Sequence, residues 1–163
     1  MRIEKLEKGH KKTRFDCGND VLNSFLKRYA YQNQQRYLMG VTYVAVNDTE
    51  VIGYVTLNAS SIRKTAVDAK KPYEEIPVMR IARLAVDKHF QGHGIGSKLL
   101  RFAFDKAKEL KERFGCTGVV VDAKEQAVPF YERYGFIKVN TFEKGLTVPM
   151  YLSMRVIEPI GGN

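Results

Sequence analysis

The sequence predicts one mixed α/β domain, spanning residues 1–163, in which strands and helices interleave around a sheet. Three observations carry that expectation. Apolar runs of strand length alternate with helical periodicities instead of being segregated into separate halves of the chain. Residues 42–47 and 51–59 flank the turn-forming Asn47-Asp48-Thr49-Glu50, which is the pattern of a hairpin. Leu84-Ala85-Val86 breaks at Asp87, passes through Gln91-Gly92-His93-Gly94-Ile95-Gly96 and enters a long amphipathic helix.

Taken in order, residues 2–8 make a short edge strand. Phe15-Asp16-Cys17-Gly18-Asn19-Asp20 is a turn cluster that ends on good helix-capping residues. Val21, Leu22, Phe25, Leu26 and Tyr29 follow helical spacing, which predicts a helix to about residue 31 with those five side chains as its apolar stripe. Residues 32–40 are polar, aromatic and basic and read as a second short helix ending at Gly40. After the hairpin, residues 63–75 are charged and aperiodic, hence a surface loop. Residues 76–86 form the next strand. Arg80 and Arg83 stand three apart there, on opposite faces of a regular pleat, and a bulge between them would bring them to one face.

The helix after Gly94 takes Ile95, Leu99, Phe102, Ala103, Ala107, Leu110 and Phe114 as its stripe and stops at Gly115. Residues 117–121 are apolar throughout, the mark of an interior strand. Residues 125–134 make a shorter helix closed by Gly135, and residues 136–139 and 148–156 form a final antiparallel pair. Residues 158–163 are expected to fray.

At 163 residues the chain is long enough to bury one substantial core. No apolar run reaches the length of a membrane span, so no membrane association is expected. Cys17 and Cys116 form neither a metal spacing nor a disulfide framework, and His10, His89 and His93 are scattered. No metal site and a reduced, cytoplasmic location are therefore expected. The 27 Lys and Arg against 18 Asp and Glu leave a net charge of +9. That balance favours a polyanionic partner, either nucleic acid or a long phosphorylated cofactor, although lysine also serves solubility alone.

A strand followed by a glycine loop and a helix N-terminus is an arrangement that holds phosphate, because amides without intrahelical partners point outward there. The spacing excludes a Walker loop, since Ser97-Lys98 reverses the required order. It also fits a dinucleotide fingerprint poorly. On these residues alone, a glycine turn that merely caps a helix remains an open reading. A second pattern, Ala127-x-x-Phe130-Tyr131-x-x-x-Gly135-Phe136, could by itself be a cluster of core aromatics.

Together, Gln-x-x-Gly-x-Gly after Leu-x-Val and the Tyr131 pattern resemble the GNAT N-acetyltransferases over residues 76–137. The resemblance implies a central, mostly antiparallel sheet with helices on both faces, and acetyl-CoA as cofactor. It implies that Leu84, Ala85 and Val86 offer backbone groups to the acetyl and pantetheine portions. Gln91, Gly92, His93, Gly94, Ile95, Gly96 and Ser97 would hold the pyrophosphate, and Tyr131 would protonate the leaving thiolate. One departure is Lys124, where many relatives have Asn.

Some lysine-acetylating relatives carry a glutamate base on the strand before the loop, but residues 78–86 contain no carboxylate. Either Asp122 or Glu125 serves as base, or the acceptor needs little deprotonation. An α-amine with a pKa near 7.8 is about a third neutral around pH 7.5, against roughly 0.1% for a lysine amine. The N-terminal run Phe15-x-Cys17-Gly18-Asn19…Leu22-x-x-Phe25-Leu26…Ala30-x-Gln32-Asn33, with Ile76-Pro77-Val78, is similar to the GNAT-type toxins of bacterial toxin–antitoxin pairs. That likeness implies acetylation of the α-amino group of aminoacyl-tRNA, a homodimer, and a small antitoxin as partner. Lys27, Arg28, Asn33, Arg36, Arg80 and Arg83 are the candidate RNA-facing residues. The alternatives are a small-molecule amine, a protein N-terminus, or a non-catalytic coenzyme A-binding module.

Overall fold

The computed structural model describes residues 1–140 and 145–160, so the last three residues of the tail expected to fray lie outside the described residues. Seven strands form a sheet of order β1-β2-β3-β4-β5-β7-β6. They are β1 (Arg2–Lys5), β2 (Val41–Asn47), β3 (Glu50–Arg63), β4 (Glu75–Val86), β5 (Gly118–Lys124), β6 (Ile137–Lys138) and β7 (Thr147–Ser153). The β1–β2, β2–β3, β5–β7 and β6–β7 ladders are antiparallel and β4–β5 is parallel. The chain clusters into two compact units, residues 1–58 with 82–103, and residues 59–81 with 104–163.

In the first unit the core gathers Leu6, Phe15, Phe25, Leu26, Val44, Tyr54 and Ala85. Asn19 caps the first helix by accepting the Leu22 N–H at 3.0 Å. The two helices expected over residues 21–40 are one helical run with a defect inside it. Helix α1 (Asp20–Ser24) passes into a π-helical turn (Phe25–Tyr29) and then into α2 (Ala30–Gln35). The turn is wide because the Ala30 N–H reaches back to Phe25 O, one residue beyond α spacing.

The extra residue shifts the phase of the buried face. Phe25 and Leu26 are followed inward by Ala30 and Gln34, while the expected stripe residues Val21 and Tyr29 are 74% and 52% exposed. Gln34 is buried among apolar neighbours yet fully used. Its Nε2 donates to Leu6 O at 3.0 Å, and its Oε1 accepts the Thr42 N–H at 2.9 Å. The first bond ties the end of α2 to the residue after β1, and the second ties it to the start of β2. The run ends at Gln35, short of the expected residue 40.

Helix α3 (Ile95–Phe114) begins and ends where the spacing places it. Its first turn sits on β3 at Gly53, where a Cβ would come within 3.1 Å of Leu99 and 3.2 Å of Ile95. At its other end Gly115 adopts a φ of 90°, and its N–H closes on Leu110 O and Lys111 O. Phe114 is 84% exposed instead of completing the apolar stripe, because the final turn extends past the buried part of the helix.

The second unit packs Val78, Val120 and Tyr151 with Ile62, Val67 and Val139. Val67 belongs to a 3-10 turn (Lys64–Val67) within the segment expected to be loop. The helix expected at residues 125–134 is shorter, a 3-10 turn (Glu125–Ala127) leading into α4 (Val128–Glu132), with Gly135 at φ 97° after it. Strand β7 stops at Ser153, earlier than the expected residue 156. The Ser153 hydroxyl accepts the Arg155 N–H and starts α5 (Met154–Ile157), whose Ile157 is fully buried.

Candidate functional site

The glycine loop of the first unit is organised by Asp87, a buried carboxylate that the sequence patterns register only as the end of a strand. Its Oδ2 accepts the Asp16 N–H at 3.0 Å, and its Oδ1 accepts the His89 N–H at 2.8 Å with His89 Nδ1 at 3.0 Å. Its own N–H donates to Ile52 O, and its carbonyl accepts the Phe90 N–H, both at 2.9 Å. Burial pushes the Asp87 pKa up, but the hydrogen bonds from Asp16 and His89 outweigh that and hold it below the ordinary value. Asp16 is tied in turn to Gly18 N–H, Asn23 Nδ2 and the Lys88 ammonium, which hold its carboxyl well below the usual range.

Two side chains that might have faced a ligand turn back onto the loop. Gln91 Nε2 donates to Val86 O at 2.9 Å, and His93 Nδ1 lies 3.2 Å from Phe90 O and 3.1 Å from Gln91 O. Both side chains stay exposed, and the loop presents backbone beside them. Gly92 and Gly94 both adopt a φ of 81°, a conformation glycine takes without strain. The first hydrogen bond of α3 runs from Lys98 N–H to Gly94 O, so the amides of Ile95, Gly96 and Ser97 precede the ladder. On the adjoining end of β4, Ala85 is buried in the core while Leu84 and Val86 are half-buried.

In the second unit Tyr131 stands on α4, its ring packed edge-on against Phe130 at 5.1 Å and Phe136 at 5.3 Å. Burial raises its pKa to about 12. Its hydroxyl makes no hydrogen bond among the described residues. The result is a buried ring carrying a hydroxyl that stays protonated through the neutral range. Of the two candidate bases, Asp122 is engaged by Arg80 at 3.1 Å, and Glu125 is exposed.

The candidate acceptor-facing residues divide. Lys27 and Arg28 are exposed on the π-helical turn, and Arg36 is exposed with its guanidinium 5.5 Å from the Tyr37 ring. Asn33 and Arg83 line one cavity of about 370 Å³ together with Phe25, Thr42, Thr56 and Asn58. Arg80 belongs to the second unit. Phe25, Thr56 and Asn58 carry no functional signal in the sequence, because Phe25 reads as core stripe and the other two as ordinary strand residues. Among the described residues, no cluster of His, Cys, Asp or Glu side chains is suited to a metal ion, and no helix is long and apolar enough to cross a membrane.

A family model described as the acetyltransferase (GNAT) domain matches residues 39–138. A tRNA-acetylating toxin of Mycobacterium tuberculosis is 28% identical over 130 residues, covering 76% of each chain. The structure of AtaT complexed with acetyl-methionyl-tRNA superposes with a TM-score of 0.87 at 28% identity, covering 97% of both chains. A Tyr-to-Phe mutant of the toxin AtaT, bound to the C-terminus of the antitoxin AtaR and acetyl-CoA, gives a TM-score of 0.81 at 27% identity. It covers 97% of this chain and 96% of that one.

Proposed function

This chain belongs to the GNAT acetyltransferase family, and from that premise we propose that it is an acetyl-CoA-dependent N-acetyltransferase of aminoacyl-tRNA, a toxin that blocks translation. The acceptor is the α-amino group of the esterified amino acid. The observation that carries the donor half is the loop at residues 91–97, where Gln91 and His93 hydrogen-bond carbonyls of the loop and of the strand end before it, and the amides of Ile95, Gly96 and Ser97 precede the helix ladder. The acceptor half draws on the likeness to a tRNA-acetylating toxin and to AtaT.

Acetyl-CoA, when bound, supplies the thioester whose acetyl carbon a neutral amine attacks. The loop fits its diphosphate, since a Cβ at Gly92 or Gly94 would meet nothing within 4 Å and the space beside the backbone is open. Amides of Gly92 to Ser97 would hold the diphosphate, where the start of α3 adds about half a positive charge. Backbone groups of Leu84, Ala85 and Val86 would orient the pantetheine arm, and a strand N–H there would serve as a hydrogen-bond donor to the thioester oxygen.

Tyr131 would give its hydroxyl proton to the sulfur as the C–S bond breaks, while the proton released from the attacking amine nitrogen would pass to solvent. With a pKa of about 12 the tyrosine is a phenol throughout the neutral range, and a thiolate beside it in a desolvated place is more basic than in water. Such proton donation contributes typically about 10²–10⁴-fold. A strand without a carboxylate suits an α-amine, which is substantially neutral without a dedicated base. Lys27, Arg28, Asn33, Arg36, Arg80 and Arg83 face the RNA. The enzyme works in the cytoplasm, where charged tRNA is found, as a homodimer restrained by a small antitoxin, as AtaT is bound by AtaR.

Induced expression in a bacterial host tests this reading. Production of the chain is expected to arrest growth and protein synthesis. Tyr131→Phe, which keeps the buried ring and removes only the acid, is expected to relieve the arrest by lowering turnover at least tenfold. Equal arrest by both proteins would remove Tyr131 from the mechanism.

A further inference from the structure

Resting on the reading of aminoacyl-tRNA as acceptor and deepening it, we propose that Arg83 is the residue that grips a phosphate of the acceptor's single-stranded end. Phe25 is the positioning residue that holds it in place. The six acceptor-facing candidates differ in one respect that singles Arg83 out. Lys27, Arg28 and Arg36 are exposed, and Arg80 is neutralised by Asp122. Arg83 is half-buried and has neither an ion-pair nor a hydrogen-bond partner among the described residues.

Its guanidinium stacks on a ring. The guanidinium carbon lies 3.7 Å from the centroid of Phe25. That ring is fixed from behind by Tyr54, 6.2 Å away, whose hydroxyl donates to Leu22 O at 2.8 Å. A guanidinium covered on one face by an aromatic ring keeps its in-plane N–H groups free, and that edge matches two oxygens of a phosphate. Half-burying such a charge without a partner is costly unless a ligand supplies the anion.

The surroundings favour that ligand. Arg83 is the one charged residue lining the cavity of about 370 Å³, whose polar residues Asn33, Thr42, Thr56 and Asn58 are neutral. No carboxylate lines that cavity; Asp20 lines a second one with Arg83 and Phe25 but forms no ion pair with the guanidinium among the described residues. The neighbouring turn adds Lys27 and Arg28, and no acid, to the same unit. The π-helical geometry gains a purpose, since Phe25 is the first residue of the defect and both packs into the core and carries the cation.

A phosphate has two sources, the RNA and coenzyme A, and one experiment separates them. Acetylation of charged tRNA is followed across a salt series for the wild-type protein, Arg83→Ala, Arg83→Lys and Phe25→Leu, and acetyl-CoA affinity is titrated for each. Arg83→Ala is expected to raise the tRNA KM by about 10- to 100-fold, more than it lowers kcat. It should also flatten the dependence of log KM on log salt by about 0.7, the loss of one single-strand phosphate contact. Arg83→Lys should restore the salt slope but only part of the KM, because the stacked fork is lost. Phe25→Leu should raise KM several-fold with the arginine intact.

An unchanged tRNA KM and salt slope in Arg83→Ala would overturn the proposal while leaving the acceptor reading in place. A loss that falls on acetyl-CoA affinity instead would assign the phosphate to the coenzyme and also overturn it. If the wild-type protein acetylates no charged tRNA, the acceptor reading fails and this proposal falls with it.

Discussion

The glycine loop at residues 91–97 and the Phe25 turn belong to the same compact unit, yet they present positive charge in opposite ways. In the proposed site the loop would offer main-chain amides, while its polar side chains Gln91 and His93 contact carbonyls of the loop and of the strand end before it. The Phe25 turn uses a side chain that arrives from a different strand and is fixed by stacking, at 3.7 Å. Backbone recognition needs only permissive φ angles and a helix start, so it tolerates change at most side chains. Side-chain recognition depends on a tertiary meeting of two residues and fails when either is lost.

The largest effect that would break this contrast is expected at Asp87. Asp87→Ala leaves the N–H groups of Asp16 and His89 without their acceptor, at a cost of about 2–3 kcal/mol. Denaturant titration should register that loss, and acetyl-CoA affinity should fall as the loop loses its anchor. Full stability in Asp87→Ala would mean that the loop is held by other means. Next comes Gly94→Ala, which forces an alanine to a φ of 81° at about 1–2 kcal/mol. Acetyl-CoA affinity should fall by roughly 5- to 30-fold, while the tRNA KM measured at saturating acetyl-CoA stays the same.

The smallest effect sharpens the contrast most. His93→Ala should change acetyl-CoA affinity less than about threefold, because the ring nitrogen Nδ1 is engaged by Phe90 O and Gln91 O. A tenfold loss in an equilibrium titration would show that the imidazole grips phosphate, and the loop would then no longer be a backbone device.

The same contrast explains what could be read from the residues. The course of α3 from Ile95 to Phe114 and its stop at Gly115 were legible because glycine punctuation and a 3.6-residue stripe are local. So were the hairpin and the shape of the Tyr131 segment. The π-helical turn was not, since an inserted residue leaves no mark in a run that already satisfies helical spacing; Tyr29 rather than Ala30 was expected to face inward. Phe114 looked like core because periodicity does not say how far the core extends along the helix.

Asp87 and Gln34 were missed for a related reason. Each is a polar residue whose burial depends on partners distant in sequence, Asp16 and Ile52 for one, Leu6 for the other. Arg83 could be named as basic, but its stacking on Phe25, with no ion-pair partner among the described residues, is a property of the fold alone.

The most direct test is acetyl transfer itself. Purified protein is incubated with radiolabelled acetyl-CoA and matched pools of aminoacylated and deacylated tRNA, and the labelled aminoacyl ester is released and sequenced by mass. The expected result is label on the α-amino nitrogen of the esterified amino acid, none on deacylated tRNA, and at least a tenfold slower rate with Tyr131→Phe. Label on deacylated tRNA, or no transfer to any charged tRNA while another amine is acetylated, would contradict the proposed function.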